Sequence, residues 1–185
     1  MKKGKLIVIS GASGVGKGTV LGIMMEKRKD LSFSVSATTR PPRPGEIDGV
    51  HYYFITREKF EAMIAAGEFL EYDAHAANYY GTPRAQAEEK LTHGPVLLDI
   101  EPKGAKQVKE KAPDAVLIFI MPPSVQELER RLRGRGTEDE ASVERRLNEA
   151  RNELSIKDTY DQQLVNRDVD TCAEELYQMM RKLAE

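Results

Sequence analysis

The sequence has almost none of the cysteine and histidine that stabilise secreted or zinc-binding domains. Cys172 is the single cysteine among 185 residues, so no disulfide can form within the chain. The three histidines are scattered, which excludes a zinc site of the usual cysteine and histidine spacing. Such a composition suits a reducing compartment, and we expect the protein to be cytoplasmic.

Long apolar runs and an excess of positive charge are missing as well. The N-terminal apolar run extends only from Leu6 to Ile9, shorter than the roughly seven residues that a signal peptide needs. No stretch approaches the ~20 apolar residues that cross a bilayer. The formal net charge of −2 argues against binding nucleic acid through bulk positive charge. We therefore expect neither a membrane nor a nucleic-acid partner, and both a monomer and a homodimer stay open.

The first chemical motif is GASGVGKGT, residues 11–19. It follows the apolar run at residues 6–9, which is typical of a buried parallel strand, and it precedes a helix predicted from about residue 18 to residue 28. A glycine-rich turn at this place points backbone N–H groups at an anion, and Lys17 adds a full positive charge. The predicted ATP-binding residues of this phosphate loop are Gly11, Ala12, Ser13, Gly14, Val15, Gly16, Lys17, Gly18 and Thr19.

The loop departs from the G-x-x-x-x-G-K-[ST] pattern at its last position. Gly18 stands where a hydroxyl normally contacts Mg²⁺, and the hydroxyl follows one residue later at Thr19. The same Gly-Lys-Gly-Thr ending occurs in adenylate kinases and some other nucleoside monophosphate kinases, where this hydroxyl can contact the α-phosphate. We assign Thr19 to phosphate and keep it as a second candidate metal ligand. Asp99, at the end of an apolar strand, is predicted to hold Mg²⁺ through water.

Apolar strands and helices alternate along most of the chain, which predicts an α/β fold with a doubly wound parallel sheet. Two segments interrupt the alternation. We predict a core of residues 1–36, 92–126 and 156–185, an inserted mixed-sheet subdomain of residues 37–91 and an arginine-rich helical lid of residues 127–155. Both insertions leave the carboxyl edge of the sheet, where such folds bind ligands.

Local patterns predict the ends of several elements. Alternation of apolar and polar residues at positions 33–36 predicts a short strand, and residues 162–166 are a candidate for a last one. Thr82 followed by Pro83 predicts the start of a helix, with proline in its first position. Ser124 and Glu127 have the spacing of a capping box.

A second phosphate site is indicated by TTRPPRPGEIDG, residues 38–49. So many prolines and glycines exclude regular structure. Arg40 and Arg43 lie in this segment and Tyr52 follows it. Two guanidinium forks and a phenol hydroxyl are suited to a phosphate monoester dianion. We call residues 38–49 the acceptor loop.

The stretch SATTRPPRPGE is followed in order by GEFLE, NYYGTP, LDIE, PPS and VN, and this series resembles the guanylate kinase family over nearly the whole chain. The resemblance implies transfer of the γ-phosphoryl group of ATP to GMP or dGMP, in purine nucleotide metabolism. It implies that residues 37–91 form a GMP-binding subdomain. The implied GMP-binding residues are Ser36, Arg40, Arg43, Glu46, Tyr52, Glu71, Tyr80, Thr82, Asp99 and Glu101. The implied catalytic residues are Lys17, Arg40, Asp99, Arg135 and Arg146, and Arg135 and Asn166 complete the ATP-binding set.

Guanine recognition follows from the chemistry of Glu71. Guanine presents N1–H and N2–H₂ donors on one edge, and a carboxylate accepts both, whereas the N1 of adenine is an acceptor and would be repelled. Three residues depart from the family pattern. Glu101 stands where the family often has Asp, Lys103 replaces a frequent Gln, and Arg167 replaces a frequent Asp.

Residues 130–151 contain seven arginines, of which most are expected to be solvated or paired with glutamates. Arg145 and Arg146 lie about 100° apart on a helix and cannot face the same side. We predict that Arg146 faces the phosphates, because Val143 and Leu147 mark the inner side of the helix. Arg135, between Gly134 and Gly136, lies in a hinge suited to closing over the donor phosphates.

Two other functions stay open at this point. A scaffold module of the same fold would bind phosphoproteins without catalysis, and the presence of Lys17 and both lid arginines argues against it. Another nucleotide kinase would accept AMP or a different monophosphate, and the pair Glu71 and Glu101 argues against adenine.

Overall fold

A computed structural model describes residues 4–28, 31–75, 77–134 and 139–184. Its strands are β1 (Leu6–Gly11), β2 (Ser32–Phe33), β3 (Ala37–Thr38), β4 (Tyr53–Phe54), β5 (Phe69–His75), β6 (Asn78–Pro83), β7 (Val96–Asp99), β8 (Val116–Met121) and β9 (Gln162–Val165). Its α-helices are α1 (Lys17–Lys27), α2 (Arg57–Ala65), α3 (Arg84–Leu91), α4 (Pro102–Lys111), α5 (Val125–Gly134), α6 (Glu140–Ser155) and α7 (Val169–Ala184), and a short 3₁₀ helix spans Lys157–Thr159.

Five strands form one sheet in the order β2-β7-β1-β8-β9. The pairs β1–β8, β8–β9 and β2–β7 are parallel, with Ile9 opposite Ile118 and Ile120 opposite Leu164. The central strands are apolar along their length and buried, as expected for a parallel sheet covered on both faces. The predicted α/β class with a parallel sheet is therefore confirmed.

Four strands form a separate mixed sheet in the order β4-β3-β6-β5. β3 pairs with β4 in parallel and with β6 antiparallel, and β5 pairs with β6 antiparallel. Its core is aromatic: the ring of Phe60 lies 4.3 Å from that of Phe69 and 5.2 Å from that of Tyr79. This small sheet has a hydrophobic cluster of its own.

By internal contacts the chain divides into two units, Met1–Leu6 with Ser32–Ala115, and Ile7–Leu31 with Val116–Glu185. The first unit contains the mixed sheet and α4, and the second contains the turn from β1 to α1 together with α5 and α6. The division into core, subdomain and lid is a prediction about function that stays untested. None of the helices in the described ranges is long and apolar enough to cross a membrane.

Several predicted ends were wrong. β2 covers residues 32 and 33 rather than 33–36. Thr82 and Pro83 belong to strand β6, and Pro83 is the N-cap of α3 rather than its first residue, because pairing with β5 extends the strand. In the predicted capping box the Glu127 N–H donates to Ser124 Oγ at 3.1 Å, but the Glu127 carboxylate binds Arg130 and Arg131.

Candidate active site

The phosphate loop, Gly11–Thr19, connects β1 to α1 in the second unit. Gly14 and Gly16 have φ angles of 81° and 93°, a left-handed conformation that favours glycine. The Ala12 N–H donates to Ile120 O at 3.3 Å, and the Val15 N–H donates to Ala12 O at 2.9 Å, which fixes the turn. Gly16 directly precedes α1 and has no side chain to cap it, so no side chain of the N-cap residue occupies the first N–H groups of the helix, which are suited to bind an anion.

The loop already binds an oxyanion from its own chain. The Ser13 N–H donates to Glu153 Oε2 at 2.6 Å, and Glu153 lies near the end of α6. A short bond from a backbone N–H to a carboxylate is the geometry by which such loops bind phosphate oxygens. Glu153 was not among the residues predicted from the sequence. Its signal was the spacing of seven residues from Arg146, which places both side chains on one face of α6.

The lid arginines differ in what they contact. Arg146 is half-buried with Nε 3.4 Å from Ser13 Oγ, whereas Arg145 is exposed and contacts Ser142. Arg130 and Arg131 pair with Glu127, and Arg133 pairs with Glu129, Glu140 and Glu144. Of the two arginines assigned to the donor phosphates, Arg146 therefore lies at the phosphate loop. Arg135 lies outside the described residues.

The side chain of Asn166 binds the backbone of the phosphate loop. It is fully buried, and its Nδ2 donates to Val15 O at 2.8 Å. Its Oδ1 is buried with no hydrogen-bond partner in the described part of the chain. The amide therefore holds the backbone of the phosphate loop, and contact with adenine stays a prediction.

In the first unit, the acceptor loop is organised by a bidentate ion pair. Arg40 Nη1 and Nη2 donate to the two carboxylate oxygens of Glu46, each at 2.8 Å, and the Arg43 N–H donates to Glu46 Oε2 at 2.6 Å. The Arg40 guanidinium beside Glu46 lowers the pKa of that carboxyl to about 2, so Glu46 stays ionised. Glu46, predicted as a GMP ligand, thus lies as the counter-ion of Arg40, and the Arg43 side chain is exposed.

Two tyrosines lie beside Arg40. The Tyr52 ring is 5.4 Å from the Arg40 guanidinium, and the Tyr52 and Tyr80 ring centroids are 6.0 Å apart. Burial, followed by the charges of neighbours including Asp99, raises the pKa of the Tyr52 hydroxyl, which keeps it a hydrogen-bond donor. Arg40, Tyr52 and Tyr80, predicted from separate motifs, are therefore together.

Glu71 and Thr82 form what we call the Glu71 site. Glu71 is 5% exposed and Thr82 is fully buried, and Thr82 Oγ1 donates to Glu71 Oε1 at 2.6 Å. Among the described residues Glu71 forms no ion pair, and burial raises the pKa of its carboxyl. A desolvated carboxylate with one hydroxyl partner is suited to accept further donors. Ser36 is half-buried just before β3, whereas Glu101, the N-cap of α4, is exposed.

Each unit offers one exposed oxygen of the kind that magnesium accepts as a ligand. Asp99 is exposed at the end of β7, and Thr19 is exposed in the first turn of α1. No group of three or more His, Cys, Asp or Glu side chains in the described ranges is arranged to hold a metal. Mg²⁺ in kinases typically takes one or two protein oxygens and completes its shell with phosphate and water.

A phosphate loop between a parallel strand and a helix, together with an arginine and tyrosine cluster and a buried carboxylate, defines a class. The chain is a nucleoside monophosphate kinase of the phosphate-loop type. Comparison with known proteins identifies the member of that class. The family model described as guanylate kinase matches residues 3–183.

The chain is 52% identical over 175 residues to a guanylate kinase of Synechococcus sp. (strain JA-3-3Ab), covering 94% of this chain and 81% of that protein. It is 51% identical over 177 residues to a guanylate kinase of Clostridioides difficile (strain 630), covering 95% and 86%. It is also similar to the crystal structure of guanylate kinase from Anaplasma phagocytophilum, with a TM-score of 0.78 and 33% identity over 100% of this chain and 88% of that one. The chain belongs to the guanylate kinase family, and its function is that of a guanylate kinase.

Proposed function

We propose that the phosphate loop binds the phosphates of ATP and that the first unit binds GMP, or dGMP, as the acceptor in purine nucleotide metabolism. In this assignment Lys17 lies at the β- and γ-phosphates, Arg40, Arg43, Tyr52 and Tyr80 bind the acceptor phosphate, and Glu71 with Thr82, Ser36 and Glu101 binds guanine. The lone buried cysteine agrees with a cytoplasmic protein.

The observation that supports the acceptor assignment best is the Glu71 site. A carboxylate that is 5% exposed and has no ion-pair partner among the described residues is costly unless it receives donors. The N1–H and N2–H₂ groups of guanine supply two such donors, which Glu71 can accept while Thr82 keeps its own bond to Oε1. Adenine would place its N1 lone pair against the same oxygens.

Transfer itself needs positioned positive charge, because charge spreads over the equatorial oxygens of the moving phosphoryl group. Lys17 supplies it from the start of α1, and Arg146, which lies at Ser13, can supply it from α6. Arg40 enters from the acceptor side, where Glu46 fixes the direction of its fork. Bound Mg²⁺, held through Asp99 and water with Thr19 as a second candidate, would neutralise phosphate charge.

The carboxylate of Glu153 lies on the Ser13 N–H that a phosphate oxygen would take. ATP binding therefore requires this bond to be exchanged, which connects occupancy of the loop to the position of α6. We propose that residues 127–155 act as a lid that closes over ATP, and that closure excludes water from the phosphoryl group. Small-angle scattering with and without GMP and an ATP analogue tests this, and identical profiles would contradict it.

The acceptor assignment is tested by measuring ATP consumption against GMP, dGMP, IMP, AMP and UMP in turn. GMP should have the highest kcat/KM. IMP, which keeps N1–H and lacks the 2-amino group, should fall between GMP and AMP. A site that pairs polar groups rejects an analogue lacking them by about 10⁴-fold, so AMP should be used that much less well. Comparable use of AMP would contradict the assignment.

A further inference from the structure

Helix α4 is fixed along the edge of the mixed sheet by side chains that bind the backbone of β5. The Gln107 amide spans Tyr72, accepting from its N–H at 3.3 Å and donating to its carbonyl at 2.8 Å. Lys111 Nζ donates to Phe69 O at 3.1 Å. Since β5 is an end strand of the sheet, these bonds occupy backbone groups that its edge would otherwise expose.

Gly104 lies on the same face of α4, three residues before Gln107 and seven before Lys111. It is buried against the Glu71 side chain. A Cβ built on Gly104 would lie 2.6 Å from Glu71 Oε2, 3.2 Å from Cδ and 3.3 Å from Cγ. Its backbone is helical with no positive φ, so the glycine is required for space and not for conformation.

We propose that Gly104 is a positioning residue that determines guanine specificity, because its missing side chain makes the room in which the Glu71 carboxylate is held. This inference rests on the proposed role of Glu71 in binding guanine. Helix α4 is fixed at two points to β5, so it cannot easily retreat from an added methyl group. Glu71 Oε1 is bonded to Thr82, which leaves Oε2 as the atom that must move.

Gly104→Ala should therefore damage the acceptor site and spare the fold. We expect the KM for GMP to rise about 10- to 100-fold, the range for losing a hydrogen bond to a charged group. The kcat and the KM for ATP should stay within about twofold. The Tm should not fall, because alanine favours a helix over glycine.

Gly22→Ala is the matched control. Gly22 lies in the middle of α1, is exposed, and has nothing within 4 Å of an added Cβ. The substitution makes the same chemical change in a helix of similar length. It should raise the Tm slightly and leave the KM for GMP and for ATP unchanged.

A double-mutant cycle with Glu71→Asp separates positioning from a general structural effect. Aspartate is one methylene shorter and withdraws the carboxylate from the position of the new methyl group. Added to Glu71→Asp, the Gly104→Ala change should raise the KM for GMP by less than about threefold. Full additivity of the two effects would overturn the proposal.

Glu71→Gln, measured in parallel, distinguishes a failure of the Gly104 proposal from a failure of the guanine assignment. If Glu71→Gln raises the KM for GMP and Gly104→Ala leaves it within twofold of wild type, Gly104 is not a positioning residue. If Glu71→Gln itself leaves that KM unchanged, the guanine assignment fails and the role of Gly104 fails with it. A Tm of Gly104→Ala below wild type, or an equal rise in the KM for ATP, would show a structural role and also overturn the proposal.

Discussion

The phosphate loop and the Glu71 site are built from different kinds of groups. The phosphate loop is one continuous stretch, Gly11–Thr19, that presents backbone N–H groups and holds two left-handed glycines. The Glu71 site brings together side chains from β5 and β6, with the space left by Gly104 of α4. Backbone donors bind any oxyanion of the right size, as the bond from Ser13 to Glu153 shows. A single desolvated carboxylate, in the role proposed for Glu71, would instead discriminate between bases by their hydrogen-bond donors.

Within the acceptor region, two carboxylates differ in their partners and in the direction of their pKa shifts. Glu46 is ionised by its two bonds from Arg40, and its pKa is about 2. Glu71 has no such cation, and burial raises its pKa. A carboxylate that is already paired orients an arginine, whereas a carboxylate that is unpaired is available for a ligand. Variants of the phosphate loop should affect the use of ATP, whereas variants of the Glu71 site should affect the use of GMP.

The largest expected effect is that of Lys17→Ala, which removes the full charge of the phosphate loop. We expect kcat to fall by at least about 1,000-fold, because a positioned donor on a developing charge is lost. The affinity for GMP, measured by calorimetry, should change by less than about threefold. Lys27→Ala on the same helix removes only an exposed ion pair with Asp170 and should leave kcat unchanged. Turnover of Lys17→Ala within tenfold of wild type would contradict the phosphate-loop assignment.

Glu71→Gln should impair the acceptor site and leave the phosphate loop intact. The amide can accept only one of the two guanine donors and presents its own N–H₂ to the other, so the KM for GMP should rise about 100-fold. The preference for GMP over AMP should decrease at least tenfold, and the KM for ATP should not change. Glu68→Gln, an exposed carboxylate just before β5, is the control. A Glu71 variant that retains its preference for GMP would refute the assignment.

Asn166→Ala tests whether the phosphate loop is held by the Asn166 amide, which is distant from it in the sequence. Removal of the amide leaves Val15 O buried without its donor, which should cost about 1–3 kcal/mol in the free energy of unfolding. Urea denaturation measures this cost, and the KM for ATP should rise several-fold while the KM for GMP stays constant. Asn148→Ala, at an exposed position on α6, should change neither quantity. An equal change in both substrates would show that the support is not specific to the loop.

The smallest expected effect is a contribution of Glu71 to the pH dependence of the KM for GMP. Guanine binding needs ionised Glu71, so the KM for GMP should rise as the pH falls through the raised pKa of Glu71, above its usual 4.5. Glu46, with a pKa of about 2, stays ionised over this range. The phosphate of GMP titrates near pH ~6 in all variants, so the informative quantity is the difference between wild type and Glu71→Gln. Identical profiles would show that Glu71 does not titrate in the acceptor site.

Features with a local cause could be predicted from residues that are adjacent in the chain. The phosphate loop was readable because its glycines, its lysine and the strand before it are adjacent in the chain, and its backbone N–H groups need no distant partner. A short strand was also expected at residues 162–166, and β9 covers Gln162–Val165. The inner face of α6 followed from periodicity, since Val143 and Leu147 are buried and Arg145 is exposed. The α/β class followed from the alternation of such elements.

Contacts between side chains that are distant in the chain depend on the tertiary fold and could not be predicted from local patterns. Nothing near Ser13 in the chain indicates Glu153, nothing near Val15 indicates Asn166, and Gly104 has no local motif that relates it to Glu71. The Thr82–Pro83 pair shows how tertiary contacts override a local pattern. The pattern favours the start of a helix, yet pairing of β6 with β5 keeps both residues in a strand. The Thr82 hydroxyl then donates to Glu71. Local propensities amount to fractions of a kcal/mol for each residue, and burial with sheet pairing outweighs them.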